Sequence, residues 1–430
     1  MDDIRKIALG SLAIFIGLII SKAFSYIFRI ILARLGPDAY GLYSLGWGVI
    51  EVAVIISLLG LRFGVIRYVA HHKALNDKKT ISSVINTALK IVTPLSLISI
   101  LIIIIIAPFI AESIFHQKAL IPVIQIFAIA IPFLALSRIF LGVMQSFLKI
   151  KQMVIITNII SDAAKIIATV ILILMGFNVF GAIIGTIISA IITFCLAAYY
   201  SSKLFTFDYF RSKINPEIIS FSLPLGISSI LVVFKLWLGS FMIGFFLDTS
   251  SVGFYNIALP TALILMIPTT ALRHLVNPIM IAKIAKKQSI RQIYKKVMVW
   301  TISINLPLTA FLIIFAKPII HLLFGPEYIG ASPTLIVLTI FILINSLMFM
   351  NSIILFILKK TKILLFTLTV ALGLMILGNI YFIPKIGILG AAIGEGIGII
   401  ALNTLNLFFL IKFLRKGSRK YIFQKHPERS

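Results

Sequence analysis

The chain predicts an all-α, polytopic membrane protein of twelve transmembrane helices in two parallel six-helix pseudo-repeat bundles around a central cavity. Three observations predict it. Of the 430 residues, 60% are hydrophobic, and the mean hydropathy is +1.13. Basic residues gather in every second connection between apolar runs. Short motifs recur at one offset.

A helix crosses the hydrocarbon core in about 20 apolar residues. Twelve runs qualify: Ala8 to Leu32, Gly41 to Gly60, Ile81 to Ile106, Ala119 to Phe147, Met153 to Met175 and Phe180 to Tyr200 in the first half. Ile218 to Phe246, Val252 to Leu275, Val297 to Leu323, Ala331 to Leu358, Ile363 to Phe382 and Gly387 to Leu410 follow. Helices satisfy their own backbone groups in lipid. The alternating ten-residue strands of a barrel do not occur.

About 29 of the 39 Lys and Arg fall in alternate connections, as the positive-inside rule requires. Arg5 and Lys6 precede the first run. The second connection carries Arg62, Arg67, Lys73, Lys78 and Lys79, the fourth Lys149 and Lys151, and the sixth Lys203, Arg211 and Lys213. The eighth runs from Arg273 and Lys283 to Lys296, and the tenth has Lys359, Lys360 and Lys362. The tail adds Lys412, Arg415, Lys416, Arg419, Lys420, Lys425 and Arg429. The other connections hold Arg34, Lys118, Lys317 and Lys385. Both termini are therefore expected on the cytoplasmic side of the cytoplasmic membrane. The first run is too long for a cleaved signal and is expected to stay.

The halves read as repeats. Gly41-Leu42-Tyr43 recurs as Gly253-Phe254-Tyr255, Leu61-Arg62 as Leu272-Arg273, Leu148-Lys149 as Leu358-Lys359, and Gly181–Gly185 as Gly390–Gly394. The offsets fall between 209 and 212 residues. Six spans per copy is an even number, so the copies are parallel. The expected domains are 1–206 and 217–414, six helices each, with a cytoplasmic connection at 207–216 and a basic tail at 415–430.

The motif Ala33-Arg34-Leu35-Gly36-Pro37 is followed by Tyr40-Gly41-Leu42-Tyr43, Leu59-Gly60-Leu61-Arg62 and Arg67-Tyr68. It resembles the opening of Wzx-type polysaccharide-biosynthesis flippases of the multidrug/oligosaccharidyl-lipid/polysaccharide exporter superfamily. Leu323-Phe324-Gly325-Pro326-Glu327-Tyr328 resembles the same family. The resemblance implies alternating-access translocation of a polyprenyl-(pyro)phosphate-linked oligosaccharide for cell-surface glycan assembly. Polysaccharide polymerase or glycosyltransferases are the implied protein partners, beside anionic membrane lipids. The alternative within the superfamily is a multidrug or organic-cation antiporter. The motif residues themselves read as structural.

Ionisable groups inside spans mark wet cavities or pairs. They are Lys22, Arg29, Lys90, Arg138, Lys165 and Lys235 against Glu51, Asp162 and Glu395, six bases to three acids. Lys22, Ser25 and Arg29 share a helix face. Lys235 lies 213 residues after Lys22, close to the repeat register. Lys22, Arg29 and Lys235 are therefore expected to line a cationic cavity that binds the substrate's phosphate. The bland alternative pairs Lys22 with Glu51 and sends Arg29 to the surface. Asp162 and Lys165, one turn apart, are expected to neutralise each other. Glu51 and Asp162 are also candidates for a coupling proton or sodium ion. Arg138 and Lys90 are read as snorkelling toward the cytoplasmic ends, with Arg138 a lesser cavity candidate. Glu395 lies in the Gly-rich stretch Gly390–Gly398, where helices approach closely.

Other chemistry is excluded or unsupported. The net charge of +26 reads as loop charge facing lipid, since no soluble domain remains to bind nucleic acid. Cys195 is single, so no internal disulfide forms. The six histidines lack metal spacing. No phosphate-binding Gly-rich loop is present. The acids are too scattered for a membrane glycosyltransferase. No enzyme activity, cofactor or metal is expected.

Overall fold

Helix α1 covers residues 20–33 and turns at 34–36 into α2, Pro37–Leu58. Proline suits that first position, where its missing N–H has no partner to lose. The computed structural model describes residues 20–206, 214–286 and 288–413. Most of the first apolar run, the middle of the sixth connection with Arg211 and Lys213, and the basic tail therefore lie outside the described residues.

Next come α3, Leu61–Ala74, and α4, Lys78–Pro108. Asp77 caps α4 by accepting from the Thr80 N–H at 3.0 Å. Pro108 cannot donate to the Ile104 carbonyl four residues back. The Gln125 side chain donates to that carbonyl instead, at 3.4 Å. Beyond Pro108 the helix widens into a π turn over Phe109–Ile114. On α4, Ala88, Val92, Ser96, Ile103 and Ala107 are buried, whereas Leu101 and Ile105 are 62% and 74% exposed. That outward face is apolar, as lipid demands.

Helices α5, Leu120–Ala128, and α6, Ala130–Ser146, meet at 42°. Pro132 withdraws the N–H that would bond the Ala128 carbonyl, which places the bend there. Helix α7, Ile150–Val154, leads through a π turn at Ile155–Ile160 into α8, Ser161–Leu174. Helix α9 is Asn178–Ser202 and α10 Pro216–Phe246. Then come α11, Thr249–Ala262, α12, Met266–Ala285, α13, Arg291–Ile314, and α14, Ala316–Phe324. Helices α15, Ser332–Ile357, α16, Thr361–Ile386, and α17, Ile388–Phe413, complete the order.

Among the described residues ten helices are long and apolar enough to cross a membrane, and the bent α5–α6 pair makes eleven. Each matches one predicted run. The twelfth, Ala8 to Leu32, is described only from residue 20. The protein is a multi-pass, all-helical membrane protein, and the described residues contain no strand.

The chain divides into two compact units, Met1–Trp237 with Asp248–Gly253, and Leu238–Leu247 with Phe254–Ser430. In the first unit a methyl at Gly41 would overlap the Thr249 carbonyl, and one at Gly253 the Pro37 carbonyl. The contact is reciprocal: each glycine lies four residues after the carbonyl that meets its counterpart. Asp38 reinforces it, accepting from the hydroxyls of Thr249 and Ser250 at 2.7 Å each.

The matched glycine motifs behave alike in their own units. Gly181 and Gly185 let α9 approach the α8 backbone at Leu172, Ile173 and Thr169. Gly390 and Gly394 let α17 approach Phe382 and Asn379 of α16. The close packing expected along Gly390–Gly398 is present. One residue, Gly387 with φ +63, joins α16 to α17. Beside it the Lys385 ammonium lies 3.6 Å from the Tyr381 ring centroid.

Candidate functional site

The ionisable residues of the first unit form two clusters. In one, Asp162 follows directly on the π turn that opens α8. Such a turn re-aims the residues after it and is common at functional sites. The Asp162 carboxylate accepts from the Ser21 hydroxyl of α1 at 2.9 Å. Its other oxygen lies 3.6 Å from the Lys165 ammonium. The two side chains are 14% and 20% exposed, so the pair is substantially removed from solvent. The i,i+3 pairing expected from the sequence is formed.

Lys165 also lies over the Phe28 ring of α1, 4.6 Å from its centroid. Arg29, one position on, donates to the Tyr40 hydroxyl at 2.9 Å. Tyr40 itself is 2% exposed. Arg29 is thus held inside by a hydrogen bond, contrary to the surface alternative. Lys22 is exposed on the same helix. Arg29 is close enough to both Lys22 and Lys165 for their charges to repel. This cluster holds three bases, Lys22, Arg29 and Lys165, and one acid among the described residues. Ser161 and Ser189 tie α8 to α9 beneath it, their hydroxyls 2.9 Å apart.

The second cluster joins α2, α3 and α6. Arg138 donates to Glu51 at 2.8 Å, with side chains 23% and 17% exposed. This departs from one alternative and one expectation. Glu51 does not pair with Lys22, and Arg138 does not snorkel; α2 packs beside α6 and brings these two together. Arg62 lies near enough to Arg138 to feel its charge. Its stem rests against Gly142 and its Nε has no hydrogen-bond partner among the described residues. The balance is again positive, two bases to one acid.

Lys235 is half-buried on α10, within the same unit. Lys90 is half-buried on α4.

The sequence reading missed Ser21, Tyr40 and Arg62 as members of these clusters. Tyr40 carried the best signal, since it lies in the opening motif eleven residues after Arg29. The motif that looked structural therefore also holds a cation in place.

The interior of the second unit is polar but largely neutral. Asn403 donates to Asn345 at 2.9 Å, Asn305 to Thr269 at 3.0 Å, and Asn256 to Ser240 at 2.9 Å. Thr367 donates to Asn406 at 2.8 Å. Glu395, 9% exposed, is the buried acid there and lies within electrostatic reach of Tyr255. No group of three His, Cys, Asp or Glu among the described residues is arranged to hold a metal ion.

Each cluster of the first unit therefore holds more bases than acids, with one carboxylate as counter-charge. Comparison with known proteins places the chain. An uncharacterised membrane protein of Methanocaldococcus jannaschii is 24% identical over 417 residues, covering 91% of this chain and 81% of that protein. An inward-facing multidrug resistance MATE family transporter of the MOP superfamily superposes with a TM-score of 0.76 at 20% identity. It covers 93% of this chain and 96% of the other. A MOP superfamily transporter from Pyrococcus furiosus, described as having a binding pocket of reverse polarity, matches with a TM-score of 0.64 at 18% identity. It covers 94% of both chains. The polysaccharide biosynthesis protein family matches residues 31–333. With a MATE-like membrane fold and a family match over most of its length, this chain belongs to the polysaccharide biosynthesis protein family.

Proposed function

We propose that the protein translocates a polyprenyl-(pyro)phosphate-linked oligosaccharide across the cytoplasmic membrane by alternating access. The observation that carries this is the excess of base over acid in the interior of the first unit. A lipid-linked sugar bears its negative charge at the junction of glycan and tail. Ammonium and guanidinium groups in a site of low dielectric attract that charge, and Arg adds a bidentate fork. Lys22, Arg29 and Lys235 are the proposed contacts. Lys165, already paired, sets the local field with Arg138.

An organic-cation antiporter needs the opposite polarity. The Pyrococcus furiosus relative is described by a pocket of reverse polarity, and a cationic interior in this chain fits that pattern. Asp162 and Glu51 then serve as counter-charges. A coupling proton or sodium ion would have to displace Lys165 or Arg138 from them. The alternating basic connections put both termini in the cytoplasm in this reading.

The test is transport in proteoliposomes loaded with a pyrophosphate-linked oligosaccharide lipid. The readout is access of an external glycan-cleaving enzyme. Wild type should expose the glycan faster than empty liposomes. The Lys22→Ala/Lys235→Ala variant should slow this about tenfold or more, the loss of two charge-assisted contacts. Equal rates would remove these residues from the site. No exposure above empty liposomes across several donor lipids would reject the activity.

A further inference from the structure

At the end of the first unit where Lys73, Lys78 and Lys203 cluster, three connections close around a cavity of about 390 Å³. Local backbone geometry builds it. Asn76 takes a left-handed conformation, φ +56, to turn α3 into α4, and Leu148, φ +60, ends α6. The segment after α9 is tied down across α4. The Thr206 N–H donates to the Ser82 hydroxyl at 3.2 Å, and Asn86 donates to the Thr206 carbonyl at 3.3 Å. Ser82 thus accepts from the backbone while lining the cavity.

The walls are amphipathic. Lys73, Lys78 and Lys203 line the cavity beside Phe147 and Phe205. Lys73 lies 5.0 Å from the Phe147 ring centroid, and Lys203 donates to the Tyr199 hydroxyl at 2.8 Å. Among the described residues no carboxylate lines the cavity. The nearest in sequence, Asp77, is engaged elsewhere. It accepts from the Thr80 N–H, lies 3.3 Å from His72 Nδ1, and these contacts hold its pKa below the ordinary carboxylate value.

Three lysines with no carboxylate among the described lining residues, in a volume within the range of ligand sites, call for a compact polyanion. Aromatic and aliphatic walls call for an apolar extension of it. We infer that this cavity binds the phosphate headgroup of an anionic membrane lipid, separately from any transported substrate. A basic pocket at a membrane surface is suited to that ligand. The site uses none of the residues assigned to transport, so it stands or falls independently of the proposed activity.

The experiment is native mass spectrometry of the full-length protein released from phosphatidylglycerol or phosphatidylcholine nanodiscs. Wild type should keep one phosphatidylglycerol and no phosphatidylcholine. A Lys73→Gln/Lys78→Gln/Lys203→Gln variant should bind phosphatidylglycerol about a hundredfold more weakly, at about fivefold per lysine. Lys359→Gln/Lys360→Gln/Lys362→Gln, in another basic connection, should keep the adduct. The corresponding Lys→Arg triple should retain it too, which separates lost charge from lost folding. Equal retention by the first variant would overturn the site. Displacement of the lipid by millimolar inorganic phosphate alone would overturn the lipid assignment and point to a soluble phosphate compound.

Discussion

The two units solve the same problem, a polar interior inside lipid, with different chemistry. The first uses ions: Arg138 with Glu51, Lys165 with Asp162, Arg29 on a tyrosine. The second uses amides and hydroxyls: Asn403 with Asn345, Thr367 with Asn406. Neutral pairs between membrane helices add modest adhesion, on average about 0.6 kcal/mol each. Ions there cost several kcal/mol to desolvate and repay little in stability. Adhesion alone would not require them. The difference teaches that the first unit holds charge in its interior where the second relies on neutral polar groups.

Breaking the Glu51–Arg138 pair is the hardest test of that contrast. Glu51→Ala leaves a half-buried guanidinium unmatched and should destabilise the protein by about 3 kcal/mol. Glu51→Ala/Arg138→Leu should recover most of this. Thermal unfolding in detergent reads both, and equal losses in single and double variants would show that the charge is not what matters.

Gly41→Ala drives a methyl into the Thr249 carbonyl and should cost about 2 kcal/mol. Because the contact is reciprocal, Gly253→Ala should cost a similar amount by the same measurement. A loss at one glycine alone would break the symmetry. The smallest effect belongs to the neutral scaffold. Asn403→Leu should cost about 1 kcal/mol, with unaltered transport in the proteoliposome assay.

Much of this was legible in the sequence, because lipid imposes simple rules. Run length located eleven helices. The Asp162–Lys165 pair followed from i,i+3 spacing. The Gly390–Gly398 stretch announced a close helix contact. What stayed hidden depends on which helices become neighbours. Glu51 and Arg138 are 87 residues apart, and Ser21 and Asp162 are 141 apart. No periodicity along one helix reports a partner on another. The bend before Pro132 was different in kind: the proline announces it, but run length alone passes over it.

The single-residue joint at Gly387 bears on how the protein is made. Helices α16 and α17 are too tightly linked to enter the bilayer one after the other, so the pair must be inserted as one hairpin during synthesis. Its tip carries Lys385, so a charge sits at the turn of the hairpin, its ammonium seated on the Tyr381 ring of the same helix.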